Sequence, residues 1–230
     1  GVAGVVKPQS ACFERYGSAG YAVLERVVAH AKRLGFVVIL DAKRGDIGSS
    51  AEHYAAGARS MGADWITVSP YMGPSTIEPF MDAGLGVFAL CRTSNPDSDR
   101  LQTLDTGGVI MAERTADMIA EMGAAHTGGS GLSVLGAVVG ATKSAEDGAR
   151  LRARMPDQIL LVPGVGAQGG TAAEVVPLVR PGQHSPGTAG VVVNASRSVL
   201  YPKRAPGQSW QGAVRQAADQ FAGSLRILGA

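Results

Sequence analysis

Phe36-Val37-Val38-Ile39-Leu40-Asp41-Ala42-Lys43-Arg44-Gly45-Asp46-Ile47-Gly48 joins a continuous apolar run to a charged segment in which Asp41, Lys43 and Asp46 stand at fixed spacing. The run is short, rich in β-branched residues and unbroken by polar ones, the pattern of a strand buried on both faces. Side chains alternate along a strand, so Asp41 and Lys43 are expected on the same side of its C-terminal end. Gly45 allows a sharp turn there, and Asp46 sits where the chain leaves for the next helix. Two carboxylates flanking one ammonium at the carboxyl end of a strand have the makings of an active site. The plain alternative is a surface ion-pair cluster, but a strand end inside a parallel barrel is seldom solvated like an ordinary surface.

Apolar runs and amphipathic segments alternate on both sides of this stretch. Strands are expected at Val2–Val6, Val37–Ala42, Trp65–Ser69, Val87–Cys91, Leu132–Val139, Ile159–Val162 and Gly190–Asn194. Helical patterns cover about 18–34, 49–61, 76–83, 108–124, 144–154 and 171–179, with a last one at about 209–227. Ser49-Ser50-Ala51-Glu52 offers N-cap chemistry to the second helix, and Trp210, Val214, Phe221 and Leu225 share roughly helical spacing on the last. Strands alternating with helices predict a parallel sheet with helices outside it. No linker divides residues 1–230, so a single barrel domain is expected, with Pro181–Thr188 as a mobile surface loop.

Seven strands are one short of an α/β (β/α)8 TIM barrel. The chain starts abruptly at Gly1 without an initiator Met, which puts the absent strand first. A doubly wound open sheet is the competing architecture. It would normally carry a glycine-rich dinucleotide loop after its first strand, and none follows Val6.

A chain of 230 residues with mean hydropathy +0.10 is long enough for one large core and suits a soluble globular enzyme. Its 32 glycines are about twice the usual share, which favours tight turns and close backbone approach to a ligand. A net charge of +2 is too small to imply a nucleic-acid or membrane partner. No apolar run approaches the roughly 18 residues of a membrane span, and no signal-peptide pattern opens the chain. Cys12 and Cys91 lack metal-ligand spacing and read as reduced thiols of a cytoplasmic protein. The histidines form no metal pattern, and His53 and His184 read as incidental.

Polar residues gather where barrels keep their active sites, at strand C-termini and in the loops beyond them. Lys7-Pro8-Gln9 follows the first strand, and a lysine there would point into the barrel mouth, although lysines often simply flank strands. Cys91-Arg92-Thr93-Ser94-Asn95-Pro96 offers hydroxyl and amide donors. Pro163-Gly164-Val165-Gly166-Ala167-Gln168-Gly169-Gly170 and Asn194-Ala195-Ser196-Arg197-Ser198 close the last two strands. Glycine-dense backbone exposes N–H groups that can cradle a phosphate, and a barrel's final strands commonly supply that site. Arg197 adds a bidentate fork for phosphate oxygens. A plain turn is the alternative for Gly164–Gly170 taken alone. Lys43 between two carboxylates should stay protonated, which makes it a poor Schiff-base nucleophile and a good proton donor to a developing carbanion.

Together, Asp41–Ser50, Lys7-Pro8-Gln9, Thr93-Ser94-Asn95-Pro96 and Pro163–Gly170 followed by Arg197 resemble the orotidine 5′-phosphate decarboxylase family. Lys-Pro-Gln and Thr-Ser-Asn-Pro are similar to its longer bacterial subgroup, and the resemblance covers nearly the whole chain. It implies a homodimer of (β/α)8 barrels that removes CO2 from orotidine monophosphate to give UMP in pyrimidine biosynthesis, with no cofactor and no metal. Carried over, Lys43 is expected to protonate C6, held by Asp41 and by Asp46 of the partner subunit. Lys7 would complete the charge network and contact the ribose, and Ile47 and Ser50 would approach the partner's site. Ser94 would bind the pyrimidine edge, while Pro163, Gln168 and Arg197 would close over the phosphate. The chain departs from the pattern in three places. The family's first strand ends in an aspartate that pairs with the Lys7 position, and no such strand precedes Val2–Val6, so truncation is expected. Ser196 stands where glycine is common, and Ser50 where threonine is common. A related sugar-phosphate decarboxylase using Mg²⁺ would need a further acidic ligand at a neighbouring strand end, and Asp64 lies at the wrong end of its strand. A barrel that only binds nucleotides is the non-enzymatic alternative.

Overall fold

A computed structural model describes residues 2–141, 143–166, 169–183, 185 and 187–229; Gln168 and His184 lie outside the described residues. Seven strands run β1 Val5–Val6, β2 Val37–Arg44, β3 Trp65–Val68, β4 Gly86–Arg92, β5 Ser133–Val139, β6 Gln158–Val162 and β7 Val191–Val193. Each pairs in parallel with its sequence neighbour, giving one sheet in the order β1-β2-β3-β4-β5-β6-β7. The helices are α1 Ala11–Glu14, α2 Gly17–Arg33, α3 Gly48–Met61, α4 Glu78–Asp82, α5 Asp99–Gln102, α6 Met111–Gly123, α7 Ala145–Arg154, α8 Arg197–Leu200 and α9 Trp210–Ser224.

Side-chain alternation splits the core in two. Val38 and Leu40 face outward into the larger cluster with Leu24 and Val28 of α2 and Ala51, Ala55 and Ala58 of α3. Ile39 faces the other way and joins Phe88, Val138 and Leu161, with Val5 of β1, Trp65 of β3 and Val192 of β7 packed against them. All seven strands thus contribute to one inner cluster, which requires the sheet to curl on itself. This is the (β/α)8 arrangement, one strand short among the described residues. Trp65 and Phe88 stack inside it with ring centroids 4.5 Å apart. A Cβ at Gly86 would come within 2.3 Å of the Trp65 ring, so only glycine leaves room for that indole.

The structure corrects the boundaries. The first strand is only Val5–Val6, while β2 runs on to Arg44 rather than stopping at Ala42. The 76–83 pattern divides into a 3-10 turn at Pro74–Thr76 and the short α4. The 171–179 pattern is a 3-10 helix, Ala173–Leu178, in which Pro177 can donate no backbone hydrogen bond. Ser49 and Ser50 do not cap α3: its N-cap is the extended Ile47, with no side-chain bond. Side-chain caps belong instead to Ser144, which accepts the Asp147 amide at 3.0 Å, and Ser209, which accepts that of Gly212 at 3.1 Å. Trp210 is 61 % exposed, and Ala213 is the residue that α9 buries.

Candidate active site

The site is built on the C-terminal end of β2. Asp41 shares the parity of Ile39 and therefore enters the barrel mouth, where it is 5 % exposed. The segment after β1 runs alongside it, since the Asp41 amide donates to Pro8 O at 2.9 Å and the Ser10 amide to Asp41 O at 3.1 Å. That pairing brings Lys7 and Gln9 to the same carboxylate. Asp41 Oδ2 accepts from Lys7 Nζ and from Gln9 Nε2 at 3.2 Å. Its Oδ1 accepts from Lys43 Nζ at 2.5 Å and from Thr67 Oγ1 at 3.0 Å. Four donors saturate the carboxylate. Burial alone would push the Asp41 carboxyl up, but the charges and hydrogen bonds of Lys7 and Lys43 hold it below the usual carboxylate range. Asp41 is therefore a fixed anion between two ammonium groups, already committed on both oxygens and ill suited to accept a proton.

Lys43 reaches the mouth by a different route from simple alternation. Leu40 pairs with Ile66 and Arg44 with Val68, so β2 takes four steps where β3 takes two. Lys43 lies in this bulge with φ at 47°, the one non-glycine in the left-handed region among the described residues. Its amide donates to Thr67 Oγ1 at 2.9 Å. Gly45, expected to supply the turn by its conformational freedom, is not in the left-handed region; a Cβ there would stand 3.2 Å from Ser69 Cβ, a tight contact.

Lys7, Asp41, Lys43, Ser94 and Pro163 line one cavity of about 480 Å³, floored by Leu90, Val138 and Leu161. Polar neighbours that sequence reading left without a role also face it, among them Thr67, Gln102 and Asn194. Gln102 grips the β4 loop from both ends of its amide, accepting from the Thr93 amide and donating to Thr93 Oγ1, each at 2.9 Å. Behind that loop the buried Arg92 and Lys143 each bond Asp99 at 2.6 Å. The hydrogen bond from Lys143, then that from Arg92, lowers the Asp99 carboxyl to about 2. Thr67 had a legible signal, a hydroxyl among the apolar residues of a strand end; Gln102 had none, because α5 is too short to show a period.

The remaining expected residues lie elsewhere. Asp46 is partly exposed and turned back to its own loop, accepting the Ile47 amide at 2.9 Å. Ile47 and Ser50 are exposed, and neither they nor Asp46 line the cavity. Arg197 opens α8, exposed and outside the lining, although its neighbour Ser196 is part of it. The glycine loop differs from expectation: Gly166 N donates to Gly170 O, Gly169 N to Gly166 O and Gly170 N to Gly164 O, so these amides serve the loop's own turn. Asp64 sits at the opposite end of β3, bonded to Lys32 and to the Val38 amide. Among the described residues no group of three or more His, Cys, Asp or Glu side chains is placed to hold a metal ion. No helix among them is long and apolar enough to cross a membrane. Cys91 is buried and its thiol pushed up to about 12, whereas Cys12 is exposed.

A parallel barrel whose strand ends deliver a lysine–aspartate–lysine row into a cavity floored by apolar side chains has the architecture of a (β/α)8-barrel enzyme. Within that class the chain belongs to the Orotidine 5′-phosphate decarboxylase / HUMPS family, whose match spans residues 2–211. It is 39 % identical to the orotidine 5′-phosphate decarboxylase of Rhodopirellula baltica, over 98 % of this chain and 79 % of that protein. It is 41 % identical to that of Deinococcus radiodurans, over 98 % of this chain and 81 % of that one. The solved structure of Leishmania donovani UMP synthase superposes with a TM-score of 0.80 at 34 % identity, over 99 % of this chain and 47 % of that longer one. Leishmania donovani OMP decarboxylase gives a TM-score of 0.74 at 33 % identity, over 97 % of this chain and 81 % of its own.

Proposed function

We infer that this chain is an orotidine 5′-phosphate decarboxylase, converting orotidine monophosphate to UMP and CO2 in pyrimidine biosynthesis. The observation that carries the mechanism is the Lys7–Asp41–Lys43 row, with the Lys43 ammonium 2.5 Å from a buried carboxylate and facing the cavity. Breaking the C6–carboxylate bond leaves its electron pair on C6 as a vinylic carbanion, with no adjacent π-system to absorb the charge. A fixed ammonium beside C6 stabilises that charge as it forms, which lowers the transition state more than the bound substrate. Lys43 Nζ then gives its proton to C6, CO2 departs, and water reprotonates the amine. The charge and the proton both come from the side chain, so the reaction as read here needs no metal or cofactor.

The other roles follow from the resemblance to the family. Lys7, 13 % exposed at its side chain, holds Asp41 from the side away from Lys43 and faces the ribose. Ser94 on the β4 loop takes the pyrimidine edge. Pro163, Gln168 and Arg197 take the phosphate, with Arg197 swinging in from the rim on closure. Asp46, Ile47 and Ser50 stand outside the cavity, and exposed Tyr71 and Met72 follow the neighbouring strand. A second copy covering this rim would bury the apolar groups and carry Asp46 to the partner's Lys43. The working form is thus a homodimer, and its compartment the cytoplasm.

Measuring UMP formation from orotidine monophosphate in EDTA tests the reading. Turnover in EDTA is expected. Metal-dependent turnover would favour a sister enzyme of the family, and tight UMP binding without turnover would favour a nucleotide-binding barrel.

A further inference from the structure

Thr67 has no role in the mechanism above, yet it touches both halves of the reacting pair. Its side chain is 1 % exposed on β3, next to the distorted end of β2. Its Oγ1 accepts the Lys43 amide at 2.9 Å and donates to Asp41 Oδ1 at 3.0 Å. That oxygen is the one that receives Lys43 Nζ at 2.5 Å. The amide it holds belongs to the residue at φ 47°, inside the register slip. A side chain in the left-handed region persists only where its surroundings over-determine it, and a hydroxyl can donate and accept at once. Valine, the nearest match in shape, does neither.

We propose that Thr67 is a positioning residue: one hydroxyl pins the Lys43 backbone and aims the Asp41 carboxylate, fixing where the ammonium stands relative to C6. The proposal rests on the decarboxylase reading and adds to it a group that acts through Lys43 and Asp41. Its loss should slow the chemical step and leave substrate binding nearly intact, because ribose and phosphate contacts lie on other strands.

The test compares wild type, Thr67→Val and Thr67→Ser by steady-state UMP formation, with Thr67→Ala replacing the valine variant should that one not fold. Thr67→Val is expected to lose on the order of 10–100-fold in kcat, as misplacing a catalytic group by about 1 Å does, with KM within about threefold of wild type. Thr67→Ser, which keeps the hydroxyl, is expected to recover kcat to within about fivefold of wild type. An active wild type with kcat unchanged in Thr67→Val, with KM rising in place of a kcat loss, or with Thr67→Ser impaired as badly as the valine variant, would overturn the proposal alone. An inactive wild type would instead overturn the decarboxylase reading, and this proposal with it.

Discussion

Replacing Lys43 separates catalysis from stability, and the structure sets both magnitudes. Lys43→Ala removes an ion pair whose lysine side chain is 47 % exposed, so solvent screening limits its contribution to about 0.5–1 kcal/mol. Asp41 is not left unpaired, because Lys7, Gln9 and Thr67 still bond it. Alanine keeps a Cβ and therefore the strain of the left-handed backbone at φ 47°, which costs roughly 1–2 kcal/mol. Lys43→Gly relieves that strain but adds about 0.5–1 kcal/mol of unfolded-state entropy relative to alanine. The glycine variant should therefore be the more stable of the two by roughly 0.5–1 kcal/mol, the reverse of the order in an unstrained strand. Both variants should lose turnover by at least ~10⁴, since the general acid and the charge facing the carbanion vanish together. That is about 5.5 kcal/mol of barrier against about 1 kcal/mol of stability, so lost activity could not be ascribed to unfolding. Urea denaturation ranks the two variants, and UMP formation in EDTA measures their turnover. Activity within tenfold of wild type in Lys43→Ala, or a glycine variant clearly less stable than alanine, would refute this reasoning.

Arg197→Ala should raise KM by roughly 10–100-fold, the loss of a charge-assisted phosphate contact, with a smaller effect on kcat; an unchanged KM would remove Arg197 from the phosphate site. Mixed Lys43→Ala and Asp46→Ala subunits should regain up to about one quarter of wild-type sites, since each heterodimer restores one complete site. Verified heterodimers without activity would end the shared-site reading. Asp41 is held below its unfolded value, so its contribution to stability is present above about pH 4 and fades as pH falls through the folded pKa. The stability gap between wild type and Asp41→Asn should accordingly narrow on acidification, and a gap independent of pH from about 6 down to about 2 would contradict it.

Much of this molecule follows from local pattern. All seven strands lie where apolar runs occur, because parallel strands buried on both faces must be continuously apolar. Lys7, Asp41, Lys43, Ser94 and Pro163 converge because each stands at the carboxyl end of such a strand or in the loop beyond it, and a parallel barrel brings those ends together. Short helices such as α1, α5 and α8 left no trace, since four residues cannot display a 3.6-residue period. The internal bonding of the glycine loop was hidden for a related reason: composition records how many amides are present, not which carbonyls the Gly166, Gly169 and Gly170 amides bond.

The residue pattern by itself determined the parallel architecture, the strand-end cluster and the family, because these depend on periodicity and on chemistry carried within a few consecutive residues. Only tertiary structure decided how Lys43 is aimed. The bulge between β2 and β3, the left-handed backbone and the Thr67 hydroxyl arise from pairing residues more than twenty positions apart, and no property of either segment alone contains that register. The same holds for Asp41: its type is written in the chain, but its state as a buried, saturated anion is set by which distant donors the fold brings to it.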